Sequence, residues 1–150
     1  MRYFEDFAEG DVIEIGSKTV TRDEIVAFAR EFDPQPFHVD EEAGASSPFG
    51  GLIASGWHTT AMWMRLYVDA ILLDSASLGS PGVEALRWLR PVRPGDTLTG
   101  RARVLWTKPS ETDPRRGTVF SESTFENQDG EVVMRLRARG LFARRDPARG

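Results

Sequence analysis

The sequence predicts an α+β fold in which an antiparallel β-sheet curves around one long helix. From Trp57 to Leu73 the chain is apolar over a helical length, with Arg65 and Asp69 as its formal charges, which is typical of a helix inside a fold. After residue 82 apolar and polar residues alternate, which is typical of strands with one buried face. One apolar helix followed by several such strands indicates a sheet wrapped around the helix.

Length and composition limit the class of protein. The 150 residues are 40% hydrophobic, enough for one domain with a core, so we expect a single domain spanning residues 1–150. The formal net charge of -4 provides no basic field for nucleic acid. The chain has two histidines and no cysteine, so it has no disulfides, and a multi-histidine metal centre is not expected.

The first twenty residues predict one strand and no targeting signal. Residues 1–7 carry acids and lack the basic region and apolar stretch of a signal peptide, so the expected location is the cytoplasm. Residues 11–20 are rich in β-branched residues and follow Gly10, which favours a strand.

A first helix is predicted directly after this strand. Thr21 and Glu24 have the spacing of a capping box, and Pro34 should end the helix near Asp33. The apolar positions expected on its inner face are Ile25, Phe28, Ala29 and Phe32.

The central helix is predicted from Gly56 to Leu73. It is shorter than the roughly 20 apolar residues of a membrane span, and Arg65 and Asp69 would lie near its middle. We therefore expect no membrane span, and residues 74–82 are interpreted as a loop.

Four strands are predicted after the loop, at 83–92, 97–107, 118–126 and 132–143, with turns at 93–96 and 127–130. The positions expected to face inward in the second and fourth of these are Leu98, Ala102, Val104, Trp106, Val132, Met134, Leu136, Ala138 and Phe142. The arginines expected on the outer, solvated face are Arg101, Arg103, Arg135, Arg137 and Arg139.

The run from Asp33 to Asp40 places a carboxylate and an imidazole, that of His38, on one loop. Pro34 and Pro36 restrict the backbone there and favour an extended loop that presents both side chains. A second segment, residues 48–58, leads into the central helix. Together the two segments indicate an acid/base pair that faces the start of that helix.

These residues match a known pattern. It has an Asp, then a Pro three positions on and a His two further, as Asp33, Pro36 and His38 do here. It continues with a Phe and with Ile-Ala-x-Gly at the start of the central helix, matched by Phe49, Ile53, Ala54 and Gly56, and residues 87–96 resemble its second strand and turn. The chain resembles the MaoC-like dehydratases, the (R)-specific enoyl-CoA hydratase group of the hot dog fold superfamily.

The resemblance implies a hot dog fold and a reaction. Members of this group catalyse the reversible syn addition of water to a trans-2-enoyl thioester, which gives an (R)-3-hydroxyacyl thioester. The carrier would be coenzyme A or acyl carrier protein, with no further cofactor and no metal. A homodimer or higher homo-oligomer is expected, since relatives assemble in this way.

The resemblance also implies roles for individual residues. Asp33 would orient and deprotonate the water, His38 would hold it and help deliver the proton, and the Gly56 N–H would stabilise the developing oxyanion. Glycine there is expected to let the substrate approach the backbone. The group often has Asn and His where this chain has Gln35 and Ser55, and Ser55 could still cap the helix.

Other residues have weaker interpretations. Phe49 and Trp57 are expected at the substrate, where Trp57 could reshape the acyl pocket. Arg90 and Arg93 are candidates for contact with coenzyme A phosphates. His58 is interpreted as a packed or capping residue, and residues 40–42 as acids in the first turn of a helix.

Two alternatives to a hydratase remain at this stage. Hot dog proteins also hydrolyse thioesters with a carboxylate and water, so the chain could be an acyl-CoA thioesterase. It could also be a non-catalytic acyl-CoA-binding subunit that partners an active homologue.

Overall fold

Within the residues that the structure describes, the sheet has five antiparallel strands. The computed structural model describes residues 1–147. The strands are β1 (Val12–Thr19), β2 (Gly82–Trp88), β3 (Thr97–Pro109), β4 (Arg116–Glu126) and β5 (Val132–Ala143). Their order in the sheet is β1-β3-β4-β5-β2, so β1 and β2 form the two edges. Every neighbouring pair is antiparallel.

The helices are α1 (Arg22–Phe32), α2 (Pro36–Val39), α3 (Glu41–Ser46) and α4 (Gly56–Tyr67). A short 3-10 helix (Phe4–Asp6) precedes β1, and α4 continues into a π-helical turn (Val68–Leu72). The long helix thus has nearly its predicted length, and the α+β architecture of a sheet around a central helix is confirmed. Within residues 1–147, no helix is long and apolar enough to cross a membrane.

The first helix begins as its sequence predicts. Thr21 Oγ1 accepts a hydrogen bond from the Glu24 amide at 3.2 Å, and Glu24 Oε1 accepts from the Thr21 amide at 3.1 Å. Asp33 is the C-cap. The prediction that Phe32 faces inward is wrong: its side chain is 66% exposed, and its ring packs on Phe28 at 5.1 Å in the last turn.

The segment after Asp33 is less extended than predicted. Residues Pro36–Val39 form one helical turn, because proline at the first helical position loses no intrahelical hydrogen bond and has a suitable φ. His38 therefore lies on a helix and not on a loop. Asp40 then caps α3, since Asp40 Oδ1 accepts from the Glu42 amide at 2.9 Å.

Strand ends and faces mostly follow the predicted alternation. β5 has its predicted bounds, but β2 ends at Trp88 and not at residue 92. The strand does not reach residue 92 because Pro91 lacks an N–H for the ladder and the Val92 carbonyl accepts a hydrogen bond from the Ala54 amide. Trp106 was predicted to face inward and does not. A register shift between Val104 and Trp106 turns its ring to the outer face, 5.2 Å from Phe120.

The arginines of β3 and β5 lie on the outer face, as predicted. Arg137 pairs with Glu122 at 2.7 Å, and Arg101 lies 3.6 Å from Glu14. Arg139 pairs with Glu84. Because cross-strand carboxylates balance these cations, the stripe is a solvated sheet surface.

The core lies between the sheet and α4, where Met62 and Trp63 are buried. The opposite face of α4 is open, since Trp57 is 58% and Met64 41% exposed and Ala61 is also exposed. The expectation that the helix is buried on every side is therefore wrong for the single chain.

Candidate active site

Asp33 and His38 form a close pair. Asp33 ends α1, where its amide donates to the Ala29 carbonyl at 2.8 Å, and His38 lies in the single turn of α2. Asp33 Oδ2 lies 3.3 Å from His38 Nε2, with side-chain exposures of 19% and 6%. The turn that ends one helix and begins the next thus brings carboxylate and imidazole together.

The His38 ring is held by the backbone. Its Nδ1 lies 2.7 Å from the Ile53 carbonyl oxygen, and because a carbonyl can only accept, Nδ1 carries a hydrogen. Nε2 is left facing Asp33. The Ile53 amide donates back to the Phe37 carbonyl at 3.2 Å, so two hydrogen bonds join α2 to the segment that enters α4.

The Asp33 carboxyl favours its ionised form. Burial raises its pKa, but hydrogen bonding from Gln35 and Ser55 and the charge of His38 together lower it below the ordinary value. Gln35 Nε2 donates to Asp33 Oδ1 at 2.8 Å. The longer amide at position 35 therefore reaches the carboxylate directly and favours its ionised form.

Ser55 lies at the N-cap position of α4 but does not cap it. Its side chain makes no hydrogen bond to the first turn, which corrects the expectation from sequence. The buried Oγ has no hydrogen-bond partner of normal geometry within the part of the chain that the structure describes, although it lies near enough to Asp33 to lower the pKa of that carboxyl. A buried hydroxyl without a partner is costly, so this one is available to a ligand in the cleft.

Gly56 is the first residue of α4, so its amide has no acceptor within the helix. The reason for glycine differs from the expected one. A Cβ on Gly56 would lie 2.3 Å from the Trp88 ring, so the missing side chain makes room for an indole and not only for a substrate.

The pair opens into a cleft of about 430 Å³. Asp33 and His38 lie in it with Ser55 and Gly56. Its aromatic walls are Phe37, Phe49, Trp57 and Trp88. The volume is within the range of small-molecule sites, and a mainly apolar wall with a few polar groups is typical of them.

The two arginines that were candidates for contact with coenzyme A phosphates, Arg90 and Arg93, lie in different positions relative to the cleft. Arg90 lines the cleft and pairs with Glu131 at 2.8 Å. Arg93 is not among the residues that line it. Arg93 Nη2 donates to the Phe49 carbonyl at 2.6 Å, so Arg93 holds the segment that carries Phe49.

Sequence reasoning missed the role of Trp88. Its indole lines the cleft, covers Gly56 and packs edge-on against Trp57 at 5.1 Å. Trp88 is on the edge strand and Gly56 on the central helix, and periodicity within an element carries no signal for a contact between distant segments.

His58 is buried but does not line the cleft. Its ring stacks on Phe28 with centroids 4.8 Å apart, which agrees with the interpretation as a packed residue. Burial lowers the pKa of its imidazole.

Comparisons with known proteins agree with this fold. The chain is 33% identical to the uncharacterised protein YdeM of Bacillus subtilis, over 85% of this chain and 90% of that protein. It is 29% identical to the (R)-specific enoyl-CoA hydratase of Rhodospirillum rubrum, over 93% and 95% of the two chains.

A solved structure and a protein-family model also match this chain. The crystal structure of a MaoC-like dehydratase from Rhodospirillum rubrum is 47% identical, covers 97% of this chain and 99% of its own, and superposes with a TM-score of 0.90. Residues 6–124 match the family described as MaoC like domain. The chain therefore belongs to the MaoC-like domain family and has its hot dog fold.

Proposed function

We propose that this chain is a hydro-lyase that adds water reversibly to a trans-2-enoyl-CoA and gives an (R)-3-hydroxyacyl-CoA. The observation that carries the proposal is the Asp33–His38 pair, 3.3 Å apart, in one cleft with the first amide of α4. Relatives that are named hydratase or dehydratase support the reaction class.

In the hydration direction, a water beside the pair would form hydrogen bonds with both Asp33 Oδ2 and His38 Nε2. Asp33 accepts one proton as the water oxygen forms a bond to C3 of the enoyl group. The electron pair of the C2–C3 double bond moves toward the thioester carbonyl. C2 then receives a proton from Nε2 of His38, which enters this step as an imidazolium with a hydrogen on both ring nitrogens and leaves it neutral, with its hydrogen on Nδ1. The proton on Asp33 returns to His38 across their contact, so atoms and charge balance.

The amide of Gly56 supplies the third component. Negative charge grows on the thioester oxygen while C3 is attacked, and a backbone N–H donor beside that oxygen would stabilise the charge. The lowered pKa of Asp33 suits a base that must be ionised before it accepts a proton. Positioned acid/base groups supply roughly a hundred- to ten-thousand-fold in rate.

The substrate carrier would be coenzyme A or acyl carrier protein, and the proposed chemistry needs water alone beside the thioester. Arg90 lies on the cleft wall and would contact phosphate groups of the carrier by releasing Glu131. We assign no phosphate role to Arg93, because its guanidinium is bonded to the Phe49 carbonyl.

We propose that the chain acts as a homodimer or higher homo-oligomer. The exposed face of α4 carries Trp57, Ala61 and Met64, and the outer edge of β2 is unpaired within residues 1–147. A second copy would cover both surfaces, which lie beside the cleft.

The direct test is to incubate the protein with crotonyl-CoA and to follow two signals. Hydration removes the enoyl absorbance without free thiol, and the product should be the (R)-3-hydroxy isomer in a stereospecific dehydrogenase assay. Free thiol without prior hydration would instead show a thioesterase. Binding without either signal would show a non-catalytic acyl-CoA-binding subunit, and both results would refute the proposal.

A further inference from the structure

The side chain of Arg93 connects the turn after β2 to a segment that lines the cleft. Arg93 Nη2 donates a hydrogen bond to the Phe49 carbonyl at 2.6 Å, and hydrogen bonds from a charged donor are short and stronger than neutral ones. A Cβ on Gly51 would lie 3.2 Å from Arg93 Nη1, so a side chain at that position would crowd the guanidinium. The segment from Phe49 to Gly51 therefore fits around this one cation.

The backbone of Arg93 is itself attached to the sheet. Its amide donates to Asp96 Oδ2 at 2.9 Å, and Gln128 Nε2, from the turn between β4 and β5, donates to Asp96 Oδ1 at 3.0 Å. The preceding Val92 carbonyl accepts from the Ala54 amide at 2.8 Å. The guanidinium thus extends from a turn whose position is fixed by other strands.

The segment that Arg93 reaches has few attachments of its own. Two of its hydrogen bonds are local: the Phe49 amide donates to Ser47 Oγ at 3.2 Å, and the Gly50 amide donates to the Ser47 carbonyl at 3.1 Å. Gly50 has a φ of +67°, a conformation that glycine adopts readily. Neither Gly50 nor Gly51 has a side chain to anchor in the core, so the position of Phe49 depends on Arg93.

Aromatic contacts continue from Phe49 to the proposed acid/base pair. The Phe49 ring packs on the Phe37 ring with centroids 5.2 Å apart, and the Phe37 ring meets the His38 imidazole edge-on at 4.5 Å. Both phenylalanines line the cleft. Because aromatic pairs prefer particular orientations, a displaced Phe49 ring would change the packing beside His38.

The imidazole needs this packing to keep its direction. Its Nδ1 is bonded to the Ile53 carbonyl, but one hydrogen bond leaves a ring free to tilt about it. Nε2 must still stay 3.3 Å from Asp33 Oδ2 for the pair to act together. The edge-on contact with Phe37 restricts that tilt.

We propose that Arg93 is a positioning residue: its guanidinium fastens the Phe49 segment, and the rings of Phe49 and Phe37 then hold the His38 imidazole toward Asp33. In this role the guanidinium contacts the protein and not the phosphates of a carrier. The effect on activity rests on the proposed hydratase function, whereas the effect on the His38 ring does not.

The chain has two histidines, which makes the His38 ring directly observable. In protein made with isotope-labelled histidine, NMR shows the ring nitrogens of His38 and His58, and the His58→Leu variant assigns them. Arg93→Met keeps an apolar stem but no donor, and should shift or broaden the His38 ring resonances at a fixed pH. Arg93→Lys retains a donor and should shift them less.

The His58 resonances are the internal control. That ring packs against Phe28 and not against Phe37, so its resonances should stay in place in both variants. Arg93 is exposed, so we expect both variants to fold. Unchanged His38 resonances in folded Arg93→Met would overturn the proposal.

A double substitution tests whether the effect passes through the Phe49 ring. In a Phe49→Ala background, Arg93→Met should change the His38 resonances little further, because the two substitutions interrupt the same connection. If Arg93→Met changes them as much as it does in the wild type, the effect has another route and the proposed connection is wrong.

Kinetics separate positioning from phosphate binding, because crotonyl-pantetheine carries the thioester without the phosphates of coenzyme A. Misplacement of a group costs up to about a hundredfold in rate, and since His38 keeps its bond to Ile53, Arg93→Met should lower kcat/KM about tenfold with both thioesters. Arg93→Lys should recover part of this loss. A loss confined to crotonyl-CoA would show phosphate contact and overturn the proposal.

The matched control is Arg103→Met, on the outer face of the sheet, which should leave kcat/KM unchanged. The two proposals fail in different ways. Shifted His38 resonances in Arg93→Met with no hydration by the wild type would refute the reaction alone. Hydration by the wild type with unchanged His38 resonances in the variant would refute the role of Arg93 alone.

Discussion

Three neighbouring side chains create the polar environment of the Asp33 carboxylate. Gln35 donates to one carboxylate oxygen and His38 faces the other, and Ser55 adds a hydroxyl nearby. Burial alone would raise the pKa of this carboxyl, so these neighbours are what keep it ionised. The two positions that depart from the related pattern, 35 and 55, therefore both lower the pKa of the carboxyl that we propose as the base.

Replacing Gln35 should change the pH dependence of the reaction. The proposed reaction requires ionised Asp33, so kcat/KM should fall as the pH drops through the pKa of Asp33 in the free enzyme. Gln35→Leu removes a hydrogen bond to the carboxylate, raises that pKa and moves the acid limb to higher pH. Gln35→Asn, which retains an amide, should shift the limb less. An acid limb at the same pH in the leucine variant would show that Gln35 does not tune the base.

At the scale of elements, the site depends on how the start of α4 meets the end of β2. The Trp88 ring lies where a Cβ of residue 56 would project, so glycine permits a close contact between helix and edge strand. This contact joins the residue whose amide we propose as the oxyanion donor to Trp88, which lines the cleft.

Adding one methyl group at Gly56 tests the contact. Gly56→Ala should lower the free energy of unfolding by about 1–3 kcal/mol, as expected for overpacking, in urea denaturation followed by circular dichroism. In a Trp88→Ala background the same substitution should cost much less, since the clashing ring is gone. Equal costs in both backgrounds would show that Trp88 does not occupy the space beside residue 56.

The packing of α1 on α4 should make stability depend on pH. His58 is buried against Phe28, and burial lowers the pKa of its imidazole, with a smaller opposing effect of Glu24 and a smaller lowering effect of Lys18. Below the ordinary imidazole pKa of about 6.5 the unfolded chain binds a proton that the folded chain does not, so stability falls as the pH drops.

His58→Leu should remove this contribution. The loss of Tm between pH 7.5 and 5.5, a window around the ordinary imidazole pKa of about 6.5, should be smaller in the variant than in the wild type. An equal or larger loss in the variant would mean that His58 does not bind the proton on unfolding.

Local signals predicted the elements well. The capping box at Thr21 and the alternation of residues 132–143 depend on neighbours in sequence, and both give the observed bounds. The outward ring of Trp106 depends on a bulge, and the turn at Pro36–Val39 on how α1 and α3 are joined. Neither feature produces a periodic pattern in the sequence, because both are set by contacts between segments.

At the scale of the whole molecule, the single chain leaves apolar surface open on α4. Trp57 and Met64 are exposed with Ala61 between them, at helical spacing that places all three on one face. This surface supports the proposed association of two or more copies.

Ala61→Arg tests the association without changing a residue that lines the cleft. A charge at the centre of an apolar interface is unfavourable, so the variant should elute as a smaller species than the wild type in size-exclusion chromatography with light scattering. Ala61→Ser is the control and should not change the assembly. An unchanged mass in the arginine variant would place the interface elsewhere.

The candidate site was only partly predictable from sequence. Asp33 and His38 are close in sequence, so a short segment can bring them together, and their match to the pattern of the MaoC-like dehydratases carried the hypothesis. Trp88 approaches Gly56 from the far edge of the sheet, and Arg93 reaches back to Phe49. Such contacts arise from the fold as a whole.

The central claim is that Asp33 and His38 act as the acid/base pair of a hydratase. The most direct measurement is the rate of crotonyl-CoA hydration by Asp33→Asn and His38→Ala, beside Tm and circular dichroism of each variant. Each substitution should lower kcat at least about a hundredfold while the fold is retained. Hydration at near wild-type rate in both folded variants would contradict the account.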